Sequence, residues 1–297
     1  MTDKEGKLAG KIVVYSLGGV GMPGRATTIM AGHYDKPSEE LDRFREWLYD
    51  QCETSGPYEP VVEDDLKDAF ERYESDNGLI TTAGEMADFL TRARHDYKAF
   101  PGSAQTMDSK NRLFAGISLK EVGEALKDVE WNPGFPECVE KLGEAGATQL
   151  FLSRTNGAAV HHLADKIGRE TGQEFDWVAV RPYVIDEEGE NRRIYTEDMI
   201  GAPDIFLEGS LDDFDKRGEL DEYLRDLGIG YEDLVVVDDV DKNSLRKWRE
   251  RGAEVYGFRN SEDDLALEEH EQEMTEDGIS VVRDDASGIA DRIIRVA

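Results

Sequence analysis

Cysteine is scarce in this chain: two thiols, Cys52 and Cys138, in 297 residues. They lie far apart, with no zinc-type spacing and no basis for a disulfide framework. Both fall in helical stretches and read as buried residues rather than functional thiols. Long apolar runs are also missing. No segment approaches the ~20 apolar residues that span a bilayer. The opening Met1-Thr-Asp-Lys-Glu-Gly-Lys7 leads into no secretory apolar region. The expectation is a soluble, cytoplasmic protein with no membrane partner. Positive charge is the third shortage, with 35 basic residues against 66 acidic ones and a net charge of -31. No basic stripe is present to neutralise phosphates. Arg192-Arg193 and the cluster from Arg246 to Arg251 are short and interleaved with acids. Nucleic acid is therefore excluded as a partner class.

The acid that remains is spread along the chain, unlike an acidic tail. Lysine is the scarcer base, 14 residues against 21 arginines, while 39% of the chain is hydrophobic and supports a real core. An acidic surface, few lysines and a packed core resemble proteins of salt-in halophiles. In molar salt the Debye length falls to about 3 Å, which screens repulsion among carboxylates. The fold is expected to loosen as KCl is removed. The length allows one large domain, or a domain with a smaller one.

The pattern along the chain begins with a short apolar strand, Lys11 to Tyr15, that breaks into Gly18-Gly-Val-Gly-Met-Pro-Gly24. A parallel α/β sheet often presents its ligand site at such a strand end. About a hundred residues of helical pattern follow. Ser38 caps a helix with Leu41, Phe44, Trp47 and Leu48 on one face. Further helices run from Val62 to Tyr73 and from Ala83 to Tyr97, and Ser118-Leu-Lys-Glu121 is a capping box. From Trp131 onward strands alternate with helices. The strands are Thr148–Ser153, Trp177–Arg181, Leu234–Val237, Glu254–Phe258 and Ile279–Val282. The expected architecture is α/β, a doubly wound, mainly parallel Rossmann-like sheet with an inserted α-helical cap. Residues 1–24 and 130–297 would form the core, and 25–129 the cap.

Three constellations carry chemistry. Leu234-Val-Val-Val-Asp-Asp-Val-Asp-Lys-Asn243 is a buried strand ending in clustered acid. Carboxylates that close together repel unless they share a donor or a hard cation, for which Mg²⁺ is the natural candidate. A solvated acidic turn is the plain alternative in so acidic a chain. Leu150-Phe-Leu-Ser-Arg-Thr-Asn-Gly157 is a strand running into a helix. Its hydroxyl and helix-start amides can hold a phosphate, with Arg154 as a bidentate donor; a simple helix cap by Thr155 or Asn156 is the alternative. Lys216-Arg217 precedes a helix, where a base opposes the helix dipole.

In this order the pieces resemble the haloacid dehalogenase superfamily, most closely its phosphoserine-phosphatase-like branch. The likeness covers Asn132 to Val282. It implies that Ser153, with Arg154 beside it, contacts phosphate and that Lys216 or Arg217 steadies the phosphoryl group. It implies that Asp238 and Asp239 bind Mg²⁺, with Asp239 the better candidate and Asn243 a neutral substitute for a second aspartate. The helical stretch becomes a cap that covers the site and selects substrate.

The first motif of that family is a strand ending in Asp-x-Asp. Here Ser16 and Gly18 hold those catalytic positions, and Gly19-Val20 fills the turn. Ser16 cannot form an aspartyl-phosphate, and Gly18 cannot protonate a leaving group. Mg²⁺ loses a carboxylate, so its binding should be weak or absent. Two functions remain open. One is an impaired phosphatase homologue that binds a phosphorylated or anionic small molecule, with the cap as the candidate surface for a protein partner. The other is an active Mg²⁺-dependent phosphomonoesterase with an unusual first motif. Ser16 as a replacement nucleophile would need a base, and none of the five histidines stands in a triad context. His161 and His162 read as one core-facing and one solvent-facing helix residue. A faint likeness to the phosphate loop of ParA-like ATPases fails because Met22 stands where that loop needs lysine.

Overall fold

The structure is a computed structural model. It describes residues 6–23, 26–33, 38–52, 63–95, 113, 119–181, 184–185, 194–195, 217–239, 242–259, 271–272 and 274–296. By contacts the chain divides into two compact units. The first holds residues 1–25, 128–181 and 216–297, and the second holds 26–127 and 182–215.

The first unit is built on a six-stranded, wholly parallel sheet. Its strands are β1 (Ile12–Ser16), β2 (Thr148–Asn156), β3 (Asp176–Arg181), β6 (Leu234–Asp239), β7 (Glu254–Arg259) and β8 (Ser280–Arg283). They lie in the order β3-β2-β1-β6-β7-β8. The chain builds outward from β1 in one direction, then returns to β1's other side with β6. That reversal places a topological switch point between β1 and β6, and ligands bind such sheets beyond the carboxyl ends of the strands there. Parallel strands covered on both faces read as unbroken apolar runs. Ile12-Val-Val-Tyr15 and Leu234-Val-Val-Val237 are such runs, and every one of these residues is buried.

The two faces of the sheet differ. One packs aliphatic side chains, Ile12, Val14, Leu150, Leu152, Leu234 and Val236, against Leu220, Leu224, Leu245 and Trp248. These last four come from helices α8 (Arg217–Leu227) and α9 (Lys242–Glu250). The other is aromatic: Tyr15 meets Phe135 edge-on at 5.2 Å, and Phe151 meets Phe175 at 4.6 Å. Phe135 belongs to α6 (Phe135–Glu144), and α7 (Gly157–Thr171) follows β2. The Tyr15 hydroxyl donates to Gln149 Oε1 at 2.8 Å, whose amide donates to the Val139 carbonyl at 2.9 Å. The tyrosine's polar end is therefore satisfied inside the core. Cys138 sits beside it, wholly buried, and burial pushes its thiol up to about 12. Cys138 is thus the inert core thiol expected of it, while the Cys52 side chain lies outside the described residues. The final helix, α10 (Ser287–Val296), completes the unit.

In the second unit the described segments of 26–127 are helical: α1 (Ala26–His33), α2 (Ser38–Cys52), α3 (Glu63–Asn77), α4 (Ala83–His95) and α5 (Leu119–Leu126). Leu41, Phe44 and Leu48 of α2 are buried as their spacing requires. Phe70 of α3 stacks on Phe89 of α4 at 3.8 Å. Thr82 and Glu85 form a reciprocal capping box at the start of α4. β4 (Val184–Ile185) and β5 (Ile194–Tyr195) form a short antiparallel pair. No described helix is long and apolar enough to cross a membrane.

Candidate functional site

The carboxyl ends of β2, β1 and β6 bring three sequence-distant segments together. Ser16 lies in register with Leu152, and Tyr15 with Val237. Ser153 and Asp238 each follow one residue further along. Ser16 on the middle strand therefore lies between Asp238, level with it on β6, and Ser153, one residue further along on β2. Ser153 is buried at 5% exposure and Asp238 at 3%, whereas Asp239 is exposed. The Asp238 Oδ1 accepts the Asp239 N–H at 3.1 Å, so this carboxylate turns partly onto its own backbone.

The loop after β1 is tightly wound. Gly21 N–H donates to the Ser16 carbonyl at 3.2 Å and Met22 N–H to the Leu17 carbonyl at 3.0 Å. These i→i+5 bonds make a wide, π-type turn. Gly19 N–H closes the loop onto the Met22 carbonyl at 3.0 Å. The Ser16 hydroxyl donates to the Gly18 carbonyl at 3.3 Å. Gly19 has φ +87°, and a Cβ there would stand 2.7 Å from Asp239 Cβ and 2.9 Å from its Oδ2. Only glycine fits both the backbone and the space. The end of β1 thus rests directly on the side chain that ends β6.

Asn132, deeply buried at 1% exposure, holds this loop from behind. Its Nδ2 donates to the carbonyls of Gly19 at 2.7 Å and Val20 at 2.9 Å, and its backbone N–H to Gly21 at 3.0 Å. The amide orientation is fixed, because the reverse would set its oxygen against two carbonyl oxygens. Asn132 Oδ1 is buried with no partner among the described residues. A stranded acceptor costs about 1–3 kcal/mol, a cost set against the two carbonyls that the Nδ2 group satisfies. The turn continues into Gly134, φ +72°, packed on Asp285, while Ala286 N–H donates to the Pro133 carbonyl at 2.8 Å. In the sequence Gly19 is legible as a turn residue and Asn132 as the start of the stretch that resembles the family. Their roles depend on partners more than a hundred residues away, which no local pattern records.

The other expected residues are placed less fully. Arg154 lies in β2, Arg217 opens α8 and Asn243 lies in α9, but their side chains are outside the described residues, as is Lys216. His161 and His162, expected to divide between core and solvent, are both half-buried instead. His161 stacks on Trp177 at 5.1 Å and sits 3.6 Å from Asp165. Burial holds His162 below the usual imidazole value.

Mg²⁺ takes one or two carboxylates together with water and substrate oxygens. This edge presents one solvent-facing carboxylate, Asp239, and one buried carboxylate bonded to backbone. Among the described residues no three His, Cys, Asp or Glu side chains gather into a metal-binding group. Serine and glycine at positions 16 and 18 add no charge. Among the described residues Asp238 and Asp239 are the carboxylates of this edge that could hold Mg²⁺, while Asp241 and the Asn243 side chain lie outside them.

No protein-family model matches this sequence, and no curated protein matches it significantly. Solved structures do match. A HAD family hydrolase from Salmonella enterica subsp. enterica serovar Typhi superposes with a TM-score of 0.50 at 9% identity, covering 93% of this chain and 68% of that one. A protein of unknown function from Bordetella pertussis Tohama I gives a TM-score of 0.50 at 15% identity, covering 91% and 97%. A substrate-bound phosphoserine phosphatase gives 0.47 at 15% identity, covering 95% and 97%. The chain has the fold of the HAD hydrolases. The six-stranded parallel sheet flanked by helices is the doubly wound α/β architecture that its strand pattern implies.

Proposed function

We propose that this chain is a catalytically impaired phosphatase homologue that binds a phosphorylated or other anionic small molecule without turning it over. The observation that carries the reading is the end of the central strand β1. Ser16 stands there beside Asp238 and Ser153, at the switch point of the sheet, with Gly18 two residues on. A serine hydroxyl attacks phosphorus only when a base activates it, and this one donates to the backbone of its own loop. Gly18 has nothing with which to protonate a leaving group.

The binding half of the proposal rests on what remains. Ser153 contributes a hydroxyl to the same edge, with Arg154 and Lys216 or Arg217 as the cations that would hold an anion. Asp238, Asp239 and Asn243 would bind Mg²⁺ weakly or not at all. Residues 1–24 and 130–297 act in this reading as the core. Residues 25–129 act as a cap that selects the ligand and offers the surface for a protein partner. The acidic composition fits a cytoplasmic protein of a salt-rich cell, and neither nucleic acid nor membrane enters the proposal.

The test is a phosphatase assay with phosphoserine and an aryl phosphate, with Mg²⁺ in molar KCl. The native chain is compared with Ser16→Asp/Gly18→Asp. Removing a catalytic nucleophile typically costs roughly ten-thousandfold or more in rate, so the native chain should be silent and the double variant measurably active. Robust native turnover that Asp239→Ala abolishes would overturn the proposal and establish an active Mg²⁺-dependent phosphomonoesterase.

A further inference from the structure

We infer that Asn132 is a positioning residue that fixes the loop at the end of β1 against Asp239. Three consecutive carbonyls, those of Gly19, Val20 and Gly21, accept hydrogen bonds from this one residue. The same loop meets Asp239 through Gly19 and the Phe151 ring through Gly21, where added Cβ atoms would approach to 2.7 Å and 2.9 Å. The loop has no slack on those two sides, and Asn132 closes the third. Its own amide oxygen has no hydrogen-bond partner among the described residues. An asparagine kept under that penalty is there for what its nitrogen donates.

The clamp also stands where the chain passes between the two units. The first crossing follows Arg25, three residues beyond Met22, and the chain returns at Asp128, four residues before Asn132. Asn132 thereby ties the outgoing segment to the incoming one. Pro133 and Gly134 anchor it in turn to the Asp285–Ser287 turn, through the Ala286 N–H and the close Gly134–Asp285 packing. For the anion-binding reading, on which this part rests, Asn132 sets how well the β1 end is shaped before a ligand arrives.

The informative variant is Asn132→Leu. It keeps the size and the backbone N–H, removes the amide oxygen and deletes both side-chain bonds. Amide hydrogen exchange in molar KCl reads the loop directly through Gly21 and Met22, whose N–H groups close the wide turn. Exchange at these two amides should speed up at least about tenfold, while Val14 and Val236 stay protected. Asn132→Asp, which turns a carboxylate onto two carbonyls, should open the loop further. Binding of inorganic phosphate should weaken about fivefold or more in both variants. Unchanged exchange at Gly21 and Met22 in Asn132→Leu would overturn the inference. So would equal acceleration at Val14 and Val236, because that marks a general loss of stability. A native chain that binds no phosphate would instead defeat the anion-binding reading, and the exchange data would still decide the role of Asn132.

Discussion

β1 and β6 are neighbours of nearly equal character that end in opposite ways. Both are apolar runs buried on two faces, paired residue for residue from Ile12–Leu234 to Tyr15–Val237. Beyond that pair β1 turns into Ser16-Leu-Gly-Gly19 and β6 into Asp238-Asp239. Packing dictates the strand bodies, because any break in the apolar run would expose the sheet or strand a polar group within it. The ends are released from that demand, and their residues follow the chemistry of the edge. The contrast continues outward: β7 ends in Arg259 and β8 in Arg283. A neutral end, an acidic end and two basic ends thus lie along one edge.

The basic ends form the most tightly committed part of the edge. Arg259, buried at 7% exposure, pairs with Glu271 at 3.0 Å, and Arg283 pairs with the same carboxylate at 2.6 Å. Burial raises the pKa of Glu271, but hydrogen bonds from Arg283 and Arg259 outweigh it and hold the group below its ordinary 4.5. Glu271→Gln leaves the Arg259 charge buried and uncompensated, a change that typically costs about 3–5 kcal/mol. Denaturant unfolding near pH 7 should show a loss of that size. A depressed carboxylate pKa contributes stability in full above the unfolded value and loses it as pH falls through the folded one. The gap between native chain and variant should therefore narrow below about pH 4.5. A gap that persists at pH 2–3 would mean that the pair is not the source of the difference.

Gly19 tests the join between the neutral and acidic ends. Gly19→Val forces a β-branched side chain into φ +87° and against Asp239. Backbone strain of this kind costs about 1–3 kcal/mol, and the clash adds to it. Removing the clash with Asp239→Gly should recover part of the loss and leave the backbone part. Full recovery would show that the φ angle costs nothing, and no recovery would show that Asp239 is not what Gly19 meets.

How much of this was legible in the sequence follows the same division. The sheet was, because buried strands need continuous apolar runs: Leu234-Val-Val-Val237 admits no other reading between its turn signals. The helices around it were, through their 3.6-residue spacing. The positions of Ser16, Ser153 and Asp238 at one edge were expected from strand ends, and the register brings those three together. Strand limits drifted by one to three residues, the most at β2, which runs on to Asn156 through an irregularity after Ser153. The clamp was illegible. Asn132 acts on carbonyls 111 to 113 positions earlier in the chain, and a backbone carbonyl carries no side-chain signature. The split of 182–215 into the second unit was also hidden, because those residues share the acidic, turn-rich composition of their flanks.

The smallest expected effect separates two adjacent carboxylates that composition cannot distinguish. Asp238 faces inward at 3% exposure and accepts the backbone N–H of Asp239, whereas Asp239 faces solvent. Asp238→Ala removes the acceptor of a part-buried N–H and should cost about 0.5–1.5 kcal/mol. Asp239→Ala alters a solvent-facing side chain and should cost less than Asp238→Ala. The ligand readout should invert this order. Asp239 is the carboxylate that an entering anion or cation meets first, so its removal should shift phosphate affinity more than the loss of Asp238 does, once both variants are shown folded by their denaturant midpoints. Equal stability costs would mean that Asp238 is not the structural member of the pair. Equal affinity shifts would mean that the edge does not sort its two acids by the direction each one faces.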